Sequence, residues 1–325
     1  MMDRGVFSAR DEVKIVYMGT PDFAVPALSA LVREGWNVVL AVTQPDRPAG
    51  RGKRIRPTPV KSRASSLGIP VAQPEQLKGN REFFDYLIDL RPDLIVVAAY
   101  GKILPREILE APGLGCVNIH ASLLPKYRGA APIHRAVEAG ERTTGVTLMH
   151  MTEALDAGDV IATAEACIEG MNTGRAHEIL SSLGAKLLVE TLPAIVAGTA
   201  GRVAQDHDNA TYAPLVTKTE GRVDFNETAR AIANKVRAMN PAPGAYAFLG
   251  DAQIKILEAH VGISRPEDLR GKTPGAVASV SDAGIAVVAK DGIIVFDAIQ
   301  APGKKPMKVS EYLKGNVVDA TKIFR

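Results

Sequence analysis

Asn118 and His120 flank Ile119 in the run Cys116–His120 (CVNIH), whose apolar, partly β-branched character reads as a short strand. Residues two apart on a strand project to the same face, so an amide and an imidazole leave that face together. At the carboxyl end of a parallel strand, the edge where open α/β sheets bind ligands, such a pair suits stabilising a developing oxyanion while handling a proton. It equally suits a hydrogen-bonded pair that ends a strand. The next segment, Ala121 to Gly129 (ASLLPKYRG), reads as a shaped turn around Pro125 and Gly129, with Leu123 and Leu124 either lining a pocket or packing the loop on itself. Farther along, Asp156 stands in Leu155-Asp156-Ala157-Gly158-Asp159, just beyond an apolar strand at Gly145–Met151 (GVTLMHM). If the two strands are parallel neighbours, this carboxylate meets the imidazole and can tune it or pass protons through water. Asp-Ala-Gly-Asp is also an ordinary turn. Cys116 and Ser122 are the conceivable nucleophiles beside His120, but Cys116 lies deeper in the strand, where core packing is its natural use. No His/Cys/Asp cluster has metal-ligand spacing.

These residues need a scaffold, and the first two hundred positions alternate strand and helix. Lys14–Met18, Val38–Thr43, Asp93–Tyr100, Cys116–His120 and Gly145–Met151 read as strands, and Phe23–Val32, Glu82–Leu90, Pro132–Ala139 and Thr173–Val196 as helices. Near-continuous apolar strands separated by helices predict a Rossmann-like α/β domain with a mostly parallel sheet covered on both faces. The first strand is followed by Gly19-Thr20-Pro21, not G-x-G-x-x-G, which disfavours a nicotinamide dehydrogenase. From about residue 202 the chain turns polar and turn-rich. A helix at Glu227–Met239 precedes five short strands, at Ala245–Leu249, Gln253–Ala259, Gly275–Val280, Gly284–Ala289 and Ile293–Ala298. That spacing predicts a small C-terminal β-barrel, OB-like in kind.

Composition sets the outer bounds. The chain has 325 residues, enough for two domains at about 100–200 residues each. With 46% apolar and 23% charged residues, disorder as the main state is excluded. Two cysteines exclude a disulfide framework and a Cys-based zinc site, and suit a reducing cytoplasm. No run of 18 apolar residues suggests a membrane span, and residues 1–12, with Asp3, Asp11 and Glu12, read as a polar extension rather than a signal peptide. The net charge of +3 is bland, but its distribution is not. Residues 1–200 carry 22 basic and 22 acidic side chains, whereas residues 221–325 carry 15 and 11. Within the neutral part, Pro45 to Arg63 holds seven basic side chains (Arg47, Arg51, Lys53, Arg54, Arg56, Lys61, Arg63) against Asp46 alone. Its glycines and prolines predict a flexible loop rather than a helix, near the same sheet edge as His120. Such a field suits phosphate contacts.

Asn118-x-His120, the SLLP loop with its Gly129, and Asp156 in a Leu-Asp-x-Gly turn together resemble the formyl-transferring enzymes that use 10-formyltetrahydrofolate. The segments MGTPDFA (18–24), TQPDRPAGRGKR (43–54), HASLLPKYRGAAPI (120–133) and NPAPGAY (240–246) carry the resemblance across most of the chain. They point to those members that formylate the α-amine of methionine on initiator methionyl-tRNA. The resemblance implies that Asn118 binds the formyl oxygen. His120 then stabilises the tetrahedral oxyanion and assists proton transfer, and Asp156 orients His120 and an ordered water. It implies further that Ser122, Leu123, Leu124 and Pro125 form one wall of the folate site, that Arg51 serves tRNA recognition, and that Lys53 and Arg54 contact phosphates. Ala121 stands where many relatives have Pro or Gly. The implied organisation is a catalytic domain over 13–201, a linker over 202–220 and a tRNA-binding barrel over 221–325, in a cytoplasmic monomer that uses 10-formyltetrahydrofolate and no metal. Two competing readings share the scaffold. A formyltransferase acting on a small amine, such as a glycinamide ribotide or an amino sugar, would keep Asn118, His120 and Asp156 without needing residues 43–63 or the terminal domain. A catalytically silent RNA-binding module would not need the triad.

Overall fold

The computed structural model describes residues 10–49, 54–263, 269 and 271–325. They form two compact units. The first runs to Pro132 and includes Thr144–Ala166 and His177–Ala213; the second comprises Ile133–Thr143, Cys167–Ala176 and Pro214 onward.

The first unit is built on a seven-stranded sheet ordered β5-β2-β1-β6-β7-β8-β9. Its strands are β1 (Lys14–Gly19), β2 (Asn37–Val42), β5 (Val71–Ala72), β6 (Leu94–Ala98), β7 (Cys116–His120), β8 (Thr143–His150) and β9 (Val160–Cys167). The five strands from β5 to β7 run parallel. β1, β6 and β7 are buried almost throughout, as expected of central strands covered on both faces. Their carboxyl ends, and that of β2, share one edge. The chain leaves β2 there to form a two-stranded excursion, β3 (Arg47–Ala49) paired antiparallel with β4 (Arg54–Arg56).

Two sequence expectations are corrected. β8 is antiparallel to β7, with Val117 opposite His150 and His120 opposite Thr147. The end of β8 therefore lies beside the start of β7, and Asp156 reaches His120 through the return excursion of residues 151–159, not as the loop of a parallel neighbour. The basic segment is also not loop throughout. Pro59–Ser66 forms a helix, α2 (after α1, Val25–Arg33), with Pro59 in its first turn and the Thr58 side chain accepting a hydrogen bond from the Lys61 N–H at 3.2 Å. Thr-Pro is a helix-start signal that the surrounding glycines and arginines obscured.

The longest helix, α6 (Thr173–Val196, after α3 Arg81–Leu90, α4 Arg106–Leu109 and α5 Pro132–Ala139), has the length and apolarity to cross a membrane. Here it docks on the sheet: Leu180, Leu188 and Leu192 are buried, and the Ser181 hydroxyl donates to the Phe23 carbonyl at 2.7 Å. At Gly184 the helix lies so close that a Cβ would stand 2.7 Å from the Ile119 side chain and 3.3 Å from that of Val146. The strand that carries Asn118 and His120 is thus pressed directly by α6.

The second unit contains α7 (Ala229–Ala238) and an antiparallel sheet whose main path is β10-β11-β14-β13-β12, with β15 on β14. These strands are Ala245–Leu249, Ala252–Gly262, Val277–Ser281 (β12), Gly284–Val288, Ile293–Gln300 (β14) and Met307–Lys308 (β15). A short helix, α8 (Val309–Leu313), follows. The C-terminal residues pair with both edges of the path: Phe324 bridges Leu249 of β10, and Ile323 bridges Ala276 next to β12. These bridges join the two ends of the path and close the sheet into a barrel. Phe225, Phe296 and Phe324 meet in its core together with Ile232 and Val236 of α7.

Candidate active site

Asn118 and His120 occupy the end of β7, 9% and 5% exposed. His120 is held from both sides. Its Nε2 lies 2.9 Å from the Tyr127 carbonyl, which can only accept, so that nitrogen carries a proton. Its Nδ1 lies 3.7 Å from Asp156 Oδ2. That distance is too long for a direct hydrogen bond and well within Coulombic reach. A proton on Nδ1 would sit between ring and carboxylate. Among the described residues the Asn118 carboxamide makes no hydrogen bond, and its polar atoms are not sealed from solvent. An uncommitted amide beside an oriented imidazole can donate to an incoming oxygen.

Backbone geometry makes this arrangement. Tyr127 and Asp156 both have positive φ, 60° and 46°. Left-handed conformations at non-glycine residues cost of order 1–3 kcal/mol each and persist only where the surroundings impose them. These two supply the oxygens that face the two nitrogens of His120. Gly129, at φ 115°, has a backbone that other residues rarely adopt, and its N–H donates to Asp156 Oδ2 at 2.8 Å. Across from His120, the Thr147 hydroxyl donates to the Ser122 carbonyl at 2.7 Å and accepts from the Leu124 N–H at 3.1 Å, fastening the SLLP loop to β8. Ser122 is fully buried with its hydroxyl donating to the Lys126 carbonyl at 2.6 Å, and Leu124 is buried as well. Leu123 and Pro125 remain partly exposed. Cys116 is buried, its Sγ 3.6 Å from the Ile108 carbonyl, and burial pushes its thiol up to about 12. It is no nucleophile near neutral pH.

Residues the sequence reading passed over complete the site. In the stretch expected to be a linker, Thr211 accepts from the Tyr127 N–H through its hydroxyl at 2.8 Å and from the Arg128 N–H through its carbonyl at 2.8 Å. The Ala213 N–H donates to the Arg128 carbonyl at 2.7 Å. The Gln205 side chain joins Arg128 to the carbonyls of Asp156 and Gly158. Their only local signal was polar, turn-rich composition, which does not say what a loop touches.

The basic segment is partly neutralised. Lys61 Nζ donates to Asp46 Oδ2 at 2.6 Å and to Gln73 Oε1 at 2.7 Å, while Gln73 Nε2 donates to Asp46 Oδ1 at 2.7 Å. Hydrogen bonding to Lys61 holds the Asp46 carboxyl below its ordinary range. Arg63 donates to the Ser29 hydroxyl at 2.9 Å. Lys61 and Arg63 therefore brace the base of the excursion. Arg47 and Arg56 are exposed and face each other across β3–β4. Arg51 and Lys53 lie outside the described residues, and Arg54 is placed only as a β4 backbone position. Among the described residues, no group of three or more His, Cys, Asp or Glu could hold a metal ion.

Two family models match the chain: formyl transferase over residues 13–192 and formyl transferase, C-terminal domain, over residues 215–317. Among curated proteins it is similar to methionyl-tRNA formyltransferases. That of Moorella thermoacetica is 48% identical, covering 93% of this chain and 96% of the relative. That of Clostridioides difficile is 45% identical, covering 94% and 98%. Among solved structures, an N-formyltransferase from Helicobacter canadensis in complex with folinic acid and dTDP-3-aminofucose superposes with a TM-score of 0.66 at 17% identity, covering 89% of this chain and 99% of that one. HypX from Aquifex aeolicus in complex with tetrahydrofolic acid gives 0.58 at 18% identity, over 96% of this chain and 50% of that one. At these identities the superpositions establish a shared fold.

Proposed function

The chain belongs to the formyl transferase family, with methionyl-tRNA formyltransferases as close relatives, and from that premise we propose that Asn118, His120 and Asp156 carry its reaction. The protein is a formyltransferase that moves a formyl group from a folate-derived donor to the α-amine of methionine on initiator methionyl-tRNA. The donor in this reading is 10-formyltetrahydrofolate, seated against the partly exposed Leu123 and Pro125, while the buried Ser122 and Leu124 hold that wall in place. The observation that carries the assignment is the uncommitted Asn118 carboxamide beside an imidazole addressed on both nitrogens.

The methionyl amine attacks the formyl carbon through its lone pair. Charge moves onto the formyl oxygen, where the Asn118 amide donates to it together with the Nδ1–H of protonated His120, the nitrogen that makes no direct hydrogen bond to Asp156. The bond from carbon to the folate nitrogen then breaks, and that nitrogen takes up the proton released by the attacking amine, relayed through His120 and Asp156. A peptide α-amine titrates at about 7.7–8.0 and an aminoacyl ester lower, so positioning rather than activation is the main demand. No covalent enzyme intermediate is required.

The tRNA is engaged by the excursion after β2, through Arg51, Lys53 and Arg54 with the exposed Arg47 and Arg56. Lys304, Lys305 and Lys308, exposed in the barrel region, supply a second set of phosphate contacts. In this reading residues 13–201 are catalytic and 221–325 bind tRNA, with 202–220 joining them. The enzyme works as a monomer in the cytoplasm. The test is to mix the protein with 10-formyltetrahydrofolate and charged initiator tRNA and assay formyl-methionine ester. Asn118→Ala should lower kcat about 10²- to 10³-fold, as for other oxyanion donors. Arg51→Ala should impair tRNA use while folate binding persists. A His120→Ala enzyme of near-normal rate would refute the catalytic assignment, and formylation of small amines alone would refute the tRNA substrate.

A further inference from the structure

We propose that Gln205, anchored by the buried guanidinium of Arg128, is a positioning residue that sets the Asp156 carboxylate against His120. The inference rests on the catalytic role assigned to Asp156 above.

The two sides of the imidazole belong to different segments, and one amide ties those segments together. Gln205 is 7% exposed. Its Nε2 donates to the Asp156 carbonyl at 2.9 Å and to the Gly158 carbonyl at 2.7 Å. Its Oε1 accepts from Arg128 Nε at 3.1 Å and from Nη2 at 2.7 Å. Two donors and two lone pairs are thereby all engaged, which is the full capacity of a carboxamide. Arg128 is 4% exposed and also reaches His207 Nδ1 at 3.0 Å through Nη2. It stands between Tyr127, whose carbonyl accepts from His120, and Gly129, whose N–H donates to Asp156.

This network answers a specific difficulty. The backbone of Asp156 is left-handed at φ 46° and cannot hold that conformation unaided. Fixing the carbonyls on either side of Ala157 fixes the turn, and the turn aims the carboxylate. The residue types follow from the demands. Glutamate at 205 would pair with Arg128 but present oxygen to the Asp156 and Gly158 carbonyls, removing both donors. Lysine at 128 would lose the planar fork that places two N–H groups on one oxygen.

The experiment is a double-mutant cycle in the full-length enzyme. Gln205→Glu and Arg128→Lys are measured for kcat and for both KM values, alone and in an Asp156→Asn background, with thermal unfolding recorded for each. The expected result is a kcat loss of roughly 10- to 100-fold for Gln205→Glu, the scale of a misplaced catalytic group, with both KM values within about twofold. The same change should cost less than about twofold once Asp156 is already Asn. Multiplicative losses, or a KM effect without a kcat effect, would overturn the proposal. If Gln205→Glu does not fold, Arg128→Lys, which keeps the charge, must show the same non-additivity or the proposal fails. An Asp156→Asn enzyme with undiminished kcat would instead overturn the role of Asp156 itself, so the two failures are distinguishable.

Discussion

At the scale of single residues, the site works by commitment and its absence. Both nitrogens of His120 face protein oxygens, whereas the Asn118 carboxamide is uncommitted among the described residues. Cys116 illustrates how burial removes a group from the chemistry. With its thiol pushed up to about 12, only about 10⁻⁴ of it is thiolate at pH 8. Cys167 is exposed. A disulfide reagent at pH 8 should therefore label Cys167 rapidly while formylation continues, and should reach Cys116 only in denaturant. Loss of activity in step with a second fast-reacting thiol would contradict a route without a covalent intermediate. The motif Asn118-x-His120 was legible because period-2 geometry is local. Asp156 stands beside His120, but by a different topology from the parallel pair its spacing suggests: sequence does not encode strand direction in any single residue, and β8 is antiparallel to β7.

At the scale of elements, the strand that bears the site is held in place by a helix distant in sequence. α6 rests on Ile119 and Val146 through Gly184, where a side chain has no room. Gly184→Val should push the helix away from β7, costing about 1–3 kcal/mol by overpacking. Thermal unfolding should report that loss, and kcat should fall along with it because Asn118 and His120 move with the strand. Unchanged stability would mean that the helix contact is not tight. The limits of α6 were plain from its long apolar periodicity, and β7, α5 and β10 were equally legible. Helix α2 and strand β9 were missed. The first hid its Thr58-Pro59 start among glycines and arginines, and the second has an alternating, partly exposed pattern that does not stand out from loop.

At the scale of the molecule, charge placement matters more than total charge. The +3 of the whole chain conceals the excursion after β2. The seven basic residues there do not act alike: Lys61 is paired with Asp46 and Arg63 with Ser29, whereas Arg47 and Arg56 are exposed and, among the described residues of the segment, face outward for an anionic partner. Together with Lys304, Lys305 and Lys308 the excursion would make about eight phosphate contacts, so log K for tRNA should fall against log salt with a slope of roughly −6 to −7, and Arg56→Ala should reduce its magnitude by nearly one. Filter binding across a salt series measures both; a slope unchanged by Arg56→Ala would remove Arg56 from tRNA recognition.

Sequence by itself determined the types of chemistry available, the alternation that makes a covered sheet, and the short strands that make a barrel, because residue identity and near-neighbour periodicity carry that information directly. Tertiary structure alone decided which way β8 runs, that the C-terminal residues 323–324 close the barrel, that Lys61 is neutralised, and that Gln205 and Thr211 serve the catalytic loop. Each of these depends on a partner many residues away. Such pairings follow from how the chain packs its apolar faces and satisfies buried polar groups, and no local pattern announces them.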